Sequence, residues 1–149
     1  MTAMLDKSEF EAVKSGYAED APQRSYSLNA KCYTEAKFLE VEREAVFYRS
    51  WQWVCHEEKL REPGSYFVKD ILGRSILAIR DRSGELRAFY NVCKHRAHEL
   101  MQGEGKARVI TCQYHAWTYN LDGGLRGAPH TQHLEEFDKG EIYLDQVQV

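Results

Sequence analysis

The sequence predicts a mainly β domain of small antiparallel sheets, preceded by an N-terminal helix. Short β-rich runs alternate with Gly- and Pro-containing turns after residue 60, which is typical of antiparallel β domains. A helical period of apolar residues occurs earlier, between residues 34 and 50. Two pairs of Cys and His lie among the later β-rich runs, where the loops of hairpins are expected.

The predicted helix covers residues 34–50. Thr34 is a favourable N-cap residue, and Glu35 lies in the first turn, where a carboxylate complements the helix dipole. Apolar residues recur at spacings of three, four and three, on the face formed by Phe38, Val41, Ala45 and Tyr48. We expect this face to pack on a sheet. Residues 1–25 are polar and aperiodic, and they predict a loosely docked tail or a short helix.

Turn signals divide the rest of the chain into strands. Pro-Gly at 63–64, Ser-Gly at 83–84 and Asp-Gly-Gly at 122–124 each predict a turn. Residues 103–106 are expected to form a polar turn. The predicted strands cover residues 52–56, 65–69, 75–80, 86–92 and 108–111, followed by a strand, turn and strand within 115–125.

Four residues between positions 93 and 115 are the main candidates for metal chemistry. Cys93 and His95 are separated by one residue, Cys112 and His115 by two, and sixteen residues lie between the pairs. Zinc sites also use Cys and His, but their usual local spacing pairs Cys with Cys and His with His. One Cys and one His on each of two loops favours a [2Fe–2S] cluster in which two His replace two Cys on one iron.

The mixed ligand set has an electronic consequence. Thiolates are negatively charged and stabilise ferric iron, whereas a neutral imidazole adds no charge. The reduction potential therefore rises to about −150 to +300 mV, well above that of plant-type ferredoxins. The motif predicts a site that stores one electron and passes it on.

The motif and its flanks resemble the Rieske domain at the N-terminus of oxygenase α-subunits, the Rieske non-haem iron oxygenases of the ring-hydroxylating type. The resemblance rests on the spacing C-x-H-x16-C-x2-H and the flanks NVCKHRAHEL and CQYHAWTYNLDGGL, and it covers residues 26–149. It implies a Rieske [2Fe–2S] cluster with Cys93 and Cys112 on one iron and His95 and His115 on the other. It also implies neighbours that surround these ligands without binding iron, namely Arg96, His98, Tyr114 and Trp117.

Two residues depart from the pattern of such domains. Ala97 stands where Gly is frequent, and Gln113 stands where Pro is frequent. Both lie in loops whose backbone N–H groups are expected to reach the sulfurs. Alanine in place of glycine narrows the permitted backbone angles of the first loop.

The resemblance implies electron relay within an oxygenase. Single electrons would pass from a ferredoxin or a flavin reductase to a mononuclear Fe(II), which activates dioxygen for hydroxylation or demethylation. In the family that iron lies in a C-terminal catalytic domain, in the neighbouring α-subunit of a trimer. We expect residues 1–33 to form a tail and residues 34–149 the helix and Rieske domain, with the catalytic domain absent, as in a truncated or split gene product. The chain alone is then not a complete enzyme.

Two alternatives remain open at this point. One is a stand-alone Rieske ferredoxin, although the run TEAKFLEVEREAVFYRSWQWVCH resembles a segment of oxygenase α-subunits that such ferredoxins generally lack. The other is a structural zinc module that mediates protein interactions, which would bind one zinc and neither iron nor sulfide.

The remaining His and Cys residues are expected to lie outside the metal site. One group mimics the two-His-one-carboxylate set of mononuclear iron oxygenases: His130, His133, Glu135, Glu136 and Asp138. We expect a solvated loop there, because the family binds its mononuclear iron well downstream of the Rieske motif. Cys32 and Cys55 lack a partner at ligand spacing and are predicted to be buried free thiols.

Composition excludes several classes of protein. The formal net charge of −3 and the pI near 6.1 argue against a nucleic-acid-binding surface, which would be strongly basic. The first ten residues lack the apolar core of a secretory signal, and the apolar stretches are too short to span a bilayer. We therefore predict a cytoplasmic protein that binds neither nucleic acid nor membrane.

Overall fold

The computed structural model describes residues 5–14 and 22–149. The chain divides into two compact units, the first ending at Gln52 and the second comprising Trp53–Val149. No helix in the described part of the chain is both long and apolar enough to cross a bilayer. All four predicted metal ligands lie in the second unit.

The first unit is helical. It contains helices α1 (Lys7–Lys14), α2 (Lys31–Thr34) and α3 (Ala36–Ala45), together with 3-10 turns at Pro22–Arg24 and Phe47–Arg49. An ion pair between Lys37 and Glu9, with an N···O distance of 2.6 Å, joins α3 to α1. The short helix expected near the N-terminus is therefore present.

The helix predicted over residues 34–50 is shorter than expected. Thr34 is not its N-cap, because the Thr34 hydroxyl donates to the carbonyl of Ala30 at 3.1 Å and belongs to the last turn of α2. Glu35 has an extended backbone (φ −99°, ψ 120°) and separates α2 from α3. Phe38, on the predicted apolar face, is buried.

The second unit is built from antiparallel strands, which confirms the predicted fold class. The strands are β1 (Ser65–Ile71), β2 (Arg74–Arg80), β3 (Leu86–Tyr90), β4 (Glu104–Lys106), β5 (Ile110–Thr111), β6 (Thr118–Tyr119), β7 (Leu125–Gly127) and β8 (Gln146–Val147). Five form a sheet in the order β4-β1-β2-β3-β8, and three form a second sheet in the order β5-β6-β7. All neighbouring strands are antiparallel.

The strand predicted over residues 52–56 is wrong. Trp53 and its neighbours form no strand, and the Trp53 side chain is 73% exposed. His56 instead caps the 3-10 turn Glu57–Leu60, because its Nδ1 accepts a hydrogen bond from the Glu58 N–H at 3.3 Å. Aromatic residues favour strands only where a neighbouring strand is available for pairing.

The polar turn predicted over residues 103–106 is also wrong in part, since it contains the edge strand β4. Gly105 lies opposite Tyr66 of β1, and a Cβ at Gly105 would come within 3.3 Å of the Tyr66 ring. Glycine therefore lets the two strands approach. The strand predicted over residues 108–111 is shortened to β5.

The core of the second unit includes both predicted Cys ligands. Cys93 and Cys112 belong to one buried cluster with residues of both sheets. The other members are Leu77, Ile79, Phe89, Leu100, Ile110, Trp117, Tyr119, Leu121, Leu125, Ala128 and Leu144. Full burial of a Leu or Phe side chain stabilises a fold by about 1.5–3 kcal/mol. The thiols thus lie in the hydrophobic core of the domain.

The β2–β3 turn, predicted at 83–84, is confirmed and is closed by Asp81. One oxygen of Asp81 accepts hydrogen bonds from the N–H groups of Ser83 and Glu85 at 2.8 and 2.9 Å, and the other accepts from Arg87 Nε at 3.0 Å. Burial by itself raises the pKa of Asp81, but the hydrogen bonds from Ser83 and Arg87 outweigh it and lower the pKa to about 2. Gly84 occupies the left-handed position of the turn, with φ 87°.

Candidate metal centre

Two loops carry the four predicted ligands, and their backbones are hydrogen-bonded alike. The first ligand loop, residues 93–98, follows β3, and the second ligand loop, residues 112–117, joins β5 to β6. In each loop the Cys N–H donates to the carbonyl five residues on at 2.8 Å, namely His98 or Trp117. Each Cys carbonyl also accepts from the N–H four residues on at 3.0 Å. The two loops therefore share one turn geometry, but the His is the third residue of the first loop and the fourth residue of the second.

Both loops contain an alanine in the left-handed region. Ala97 has φ 53°, and Ala116, at the equivalent position of the second loop, has φ 56°. The left-handed region costs an L-residue other than glycine roughly 1–2 kcal/mol. Alanine at position 97 is thus accommodated with backbone strain. Gln113, where proline is frequent, donates from its side chain to the carbonyl of Thr111 at 3.2 Å.

The two thiols are buried, and the two imidazoles are more accessible. Cys93 and Cys112 are each 2% exposed, whereas His95 is exposed and His115 half-buried. The imidazole ring centroids lie 4.7 Å apart, with an interplanar angle of 77°. Burial, with the nearby His95, lowers the pKa of His115, which favours the neutral imidazole that metals bind. The two thiols therefore lie in the buried cluster, and the two imidazoles lie next to each other nearer the surface.

This donor set fits a [2Fe–2S] cluster better than a single zinc. Among residues 5–14 and 22–149, no three His, Cys, Asp or Glu side chains are grouped to hold one metal ion. A structural zinc needs four protein ligands around one centre. Each iron of a cluster with two Cys and two His takes only two protein ligands, so the donors are spread over two centres.

The residues expected to surround the ligands form an aromatic group around the imidazoles. Trp117 stacks on His95 with a centroid distance of 4.8 Å and an interplanar angle of 11°. The Tyr114 ring lies 3.9 Å from the His115 ring. His98 lies 5.6 Å from Tyr114, and the Arg96 guanidinium lies 5.9 Å from the same ring. Phe137, which was not predicted, contacts Trp117 edge-on at 5.7 Å.

Tyr119 contacts a predicted ligand directly and was missed in the sequence. Its buried hydroxyl accepts a hydrogen bond from the Lys94 N–H at 3.0 Å and lies 3.2 Å from Cys93 Sγ. Because its oxygen already accepts from Lys94, the hydroxyl can donate its proton to the sulfur. Burial and the neighbouring Cys93 raise the pKa of Tyr119, so it remains a donor. Strand alternation from Trp117 was the signal that placed Tyr119 inside.

Asn91 fixes the ends of the first ligand loop and was also missed. It is fully buried, and its side chain donates to the Met101 carbonyl at 2.7 Å and accepts from the Met101 N–H at 3.0 Å. It also donates to the Ser75 hydroxyl at 3.1 Å. These bonds tie the segment after the loop to the strand before it. An asparagine two residues before the Cys-x-His motif was the available signal.

The other His residues do not join the site. Residues 129–136 are mostly exposed, and His130 has a left-handed backbone with φ 63°. Asp138 caps the 3-10 turn Lys139–Glu141 by accepting from the Gly140 N–H at 2.7 Å. The exposure of these residues agrees with the solvated loop predicted there.

Cys32 and Cys55 are free, as predicted, but each is only partly buried. Burial raises the pKa of Cys55, which keeps its thiol protonated and poorly reactive. The prediction of buried thiols is therefore wrong in degree, because both residues lie outside the buried cluster described above.

Comparison with known proteins gives one family and a consistent set of relatives. The family described as the Rieske [2Fe-2S] domain matches residues 50–138. The chain is 46% identical to the carnitine monooxygenase oxygenase subunit of Acinetobacter baumannii over 119 residues, which cover 79% of this chain and 32% of that protein. It is 37% identical to the chloroplastic choline monooxygenase of Beta vulgaris over 131 residues, which cover 88% of this chain and 29% of that protein.

Solved structures give the same result. The quaternary ammonium Rieske monooxygenase CntA, in complex with L-carnitine, superposes with a TM-score of 0.76 at 46% identity. The match covers 80% of this chain and 34% of the CntA chain. The chain thus spans about a third of the length of the relatives it matches.

Proposed function

The chain belongs to the Rieske [2Fe-2S] domain family, and on this basis we propose that it relays single electrons as part of an oxygenase subunit. The pairing of two buried thiols with two accessible imidazoles on matched loops carries the proposal. The relatives named above are an oxygenase subunit and a monooxygenase, which favours this function over a stand-alone Rieske ferredoxin. The family match favours a [2Fe–2S] cluster over the structural zinc site considered from the sequence.

We propose that Cys93 and Cys112 bind one iron of the cluster and that His95 and His115 bind the other. A Rieske cluster accepts and releases one electron at a time at about −150 to +300 mV. Other residues of the chain shape the surroundings of these ligands. The hydrophobic core excludes water from the thiols, Tyr119 donates a hydrogen bond towards Cys93, and Trp117 orients the His95 ring. The accessible imidazole edges form the exit and entry side for electrons.

The remaining features of the oxygenase are proposals about a longer assembly. A catalytic domain with a mononuclear Fe(II) would receive the electrons, in a neighbouring subunit of a trimer, and a ferredoxin or flavin reductase would supply them. The relatives' names favour a quaternary ammonium compound as the substrate, oxidised with dioxygen. Within this chain we assign residues 1–33 to a tail and residues 34–149 to the helix and Rieske domain, and we place the protein in the cytoplasm.

The test of the proposal is metal and sulfide content with optical and EPR spectroscopy of the full chain, purified without oxygen. We expect two irons and two sulfides per chain and a Rieske EPR signal on reduction. Cys112→Ser should abolish the signal. The matched control Cys55→Ser changes a free thiol outside the loops and should retain it. A colourless protein with one zinc would contradict the assignment.

A further inference from the structure

Trp117 contacts two rings, one from a predicted ligand and one from a residue outside the two ligand loops. Its buried indole stacks on the exposed His95 ring, with the two planes 11° apart. The ring of Phe137 meets the same indole edge-on, with the centroids 5.7 Å apart and an angle of 64° between the planes. Phe137 is thus linked to His95 through a single intervening ring.

The plane of the His95 imidazole depends on its ring contacts. Within residues 5–14 and 22–149, its side chain contacts the rings of Trp117 and His115 and forms no hydrogen bond. A bond from a metal to one ring nitrogen would fix that atom and leave the plane free to turn about the bond. The Trp117 stack restricts this rotation, because a stacked geometry is lost when either plane tilts.

Phe137 is anchored by the core and by the turn that follows it. It is half-buried and packs against the buried cluster that contains Trp117, whereas the five residues before it, 132–136, are exposed. Directly after it, Asp138 caps the 3-10 turn Lys139–Glu141. Since edge-to-face contact is one of the favoured arrangements of aromatic pairs, an anchored Phe137 restricts the tilt of the indole.

We propose that Phe137 is a positioning residue of the metal centre, which acts on His95 through Trp117. The proposal rests on the proposed function, because His95 is a ligand only if the chain binds the Rieske cluster. By holding the indole at one angle, Phe137 limits the imidazole to one orientation. Residues that orient a ligand in this way tune the metal without binding it.

Orientation-selected pulsed EPR of the reduced, cluster-loaded full chain tests the proposal. The widths of the two signals from coordinated nitrogen report how narrowly each imidazole is oriented. We expect Phe137→Ala to broaden one of the two signals and to leave the other at its original width. Phe137→Leu also lacks the ring edge and should broaden the same signal, so the test remains decisive if Phe137→Ala binds less cluster. Phe137→Tyr retains the ring and should retain both widths.

The matched control is Phe67→Ala, which removes a half-buried phenylalanine from β1, where Lys59 Nζ lies 4.9 Å from the ring centroid. Both Ala variants should lower the midpoint of thermal unfolding, but Phe67→Ala should leave both nitrogen signals unchanged. Unchanged widths in Phe137→Ala and Phe137→Leu overturn the proposal. Equal broadening of both signals also overturns it, because that result indicates a general loosening of the domain.

A double-mutant comparison tests whether Phe137 acts through Trp117. In a Trp117→Leu background one signal should already be broad, and Phe137→Ala should add nothing to its width. Further broadening in that background means that Phe137 acts by another route, which overturns the proposal. An intact Rieske signal in the unaltered chain shows that such a failure leaves the proposed function standing, whereas a chain without that signal overturns both.

Discussion

The β2–β3 turn and the first ligand loop lie at opposite ends of β3 and are built differently. In the turn, Asp81 accepts hydrogen bonds from its neighbours and pairs with Arg87, and the left-handed position is Gly84. In the ligand loop the left-handed position is Ala97, and Arg96 carries a charge without an ion pair among the described residues.

The contrast shows where this domain concentrates stability and where it does not. In the turn, the carboxylate is paired with a nearby arginine, and a glycine occupies the left-handed position. In the ligand loop, the arginine has no ion pair among the described residues, and an alanine occupies the left-handed position. The loop therefore depends on hydrogen bonds from residues outside it, chiefly Asn91 and Tyr119. The following variants test this division, in order of expected effect.

Asn91→Ala should have the largest effect, because it leaves the N–H and carbonyl of the partly buried Met101 without their side-chain partner. An unsatisfied polar group costs about 1–3 kcal/mol when buried, so two partly buried ones should lower the free energy of unfolding by about 3 kcal/mol. Urea denaturation measures it. Asn120→Ala, the same substitution at an exposed position, should change stability by less than about 0.5 kcal/mol. Similar losses for both variants would contradict the anchoring role of Asn91.

Acid should weaken the turn through Asp81. Its pKa in the folded protein, about 2, lies below the ordinary value of 3.8, so its stabilisation is complete above about pH 5 and is lost as the pH falls through 2. The shift corresponds to roughly 2 kcal/mol. Unfolding measured at pH 6 and at pH 2.5 should show most of this loss in the unaltered chain and little of it in Asp81→Asn. An Asp81→Asn variant that kept the original pH dependence would refute the assignment.

Tyr119→Phe should lower the reduction potential of the cluster by about 40 mV. The lost hydrogen bond to Cys93 Sγ favours the reduced, more negative form by about 1 kcal/mol, and a one-electron couple shifts by 59 mV for each tenfold change in its equilibrium constant. A spectroelectrochemical titration measures the shift. Tyr114→Phe is the control, because the Tyr114 ring lies against imidazoles and its hydroxyl bonds to neither sulfur. Equal potentials for Tyr119→Phe and the unaltered chain would exclude this hydrogen bond as a determinant.

The smallest expected effect is a pair of opposite changes at the left-handed positions. Ala97→Gly should stabilise the protein by up to about 1 kcal/mol, because the relief of strain exceeds the entropy that glycine loses. Gly84→Ala should destabilise it by about 1 kcal/mol through the backbone alone, since nothing lies within 4 Å of the added Cβ. Thermal unfolding resolves both. Changes of the same sign in both variants would show that side-chain packing, and not the backbone angle φ, determines the effect on stability at these positions.

The predictions succeeded where the information is local. β1, β2 and β3 lie between turn signals that fix their ends, and they are confirmed within two residues at each end. Residues 52–56 and 103–106 failed because strand formation there depends on a partner distant in the chain. Gly105 pairs with Tyr66 only in the folded sheet.

The same reasoning applies to the site. The spacing of Cys93, His95, Cys112 and His115 is local to two loops, so it identified the candidate ligands, and their bonds to iron remain a prediction. Tyr119 reaches Cys93 across 26 residues of sequence, and no spacing rule connects a tyrosine in one hairpin to a sulfur in another.

The bridge from the Tyr119 phenol to the first ligand loop bears on how the protein acquires its metal. This residue of the three-stranded sheet holds the loop that follows β3, so separating the two sheets would dismantle both halves of the binding pocket together. The cluster would then be inserted into a site in which the two ligand loops are either both in place or both displaced. Variants in which the two sheets separate should accumulate as unloaded polypeptide even when Cys93, His95, Cys112 and His115 are unchanged.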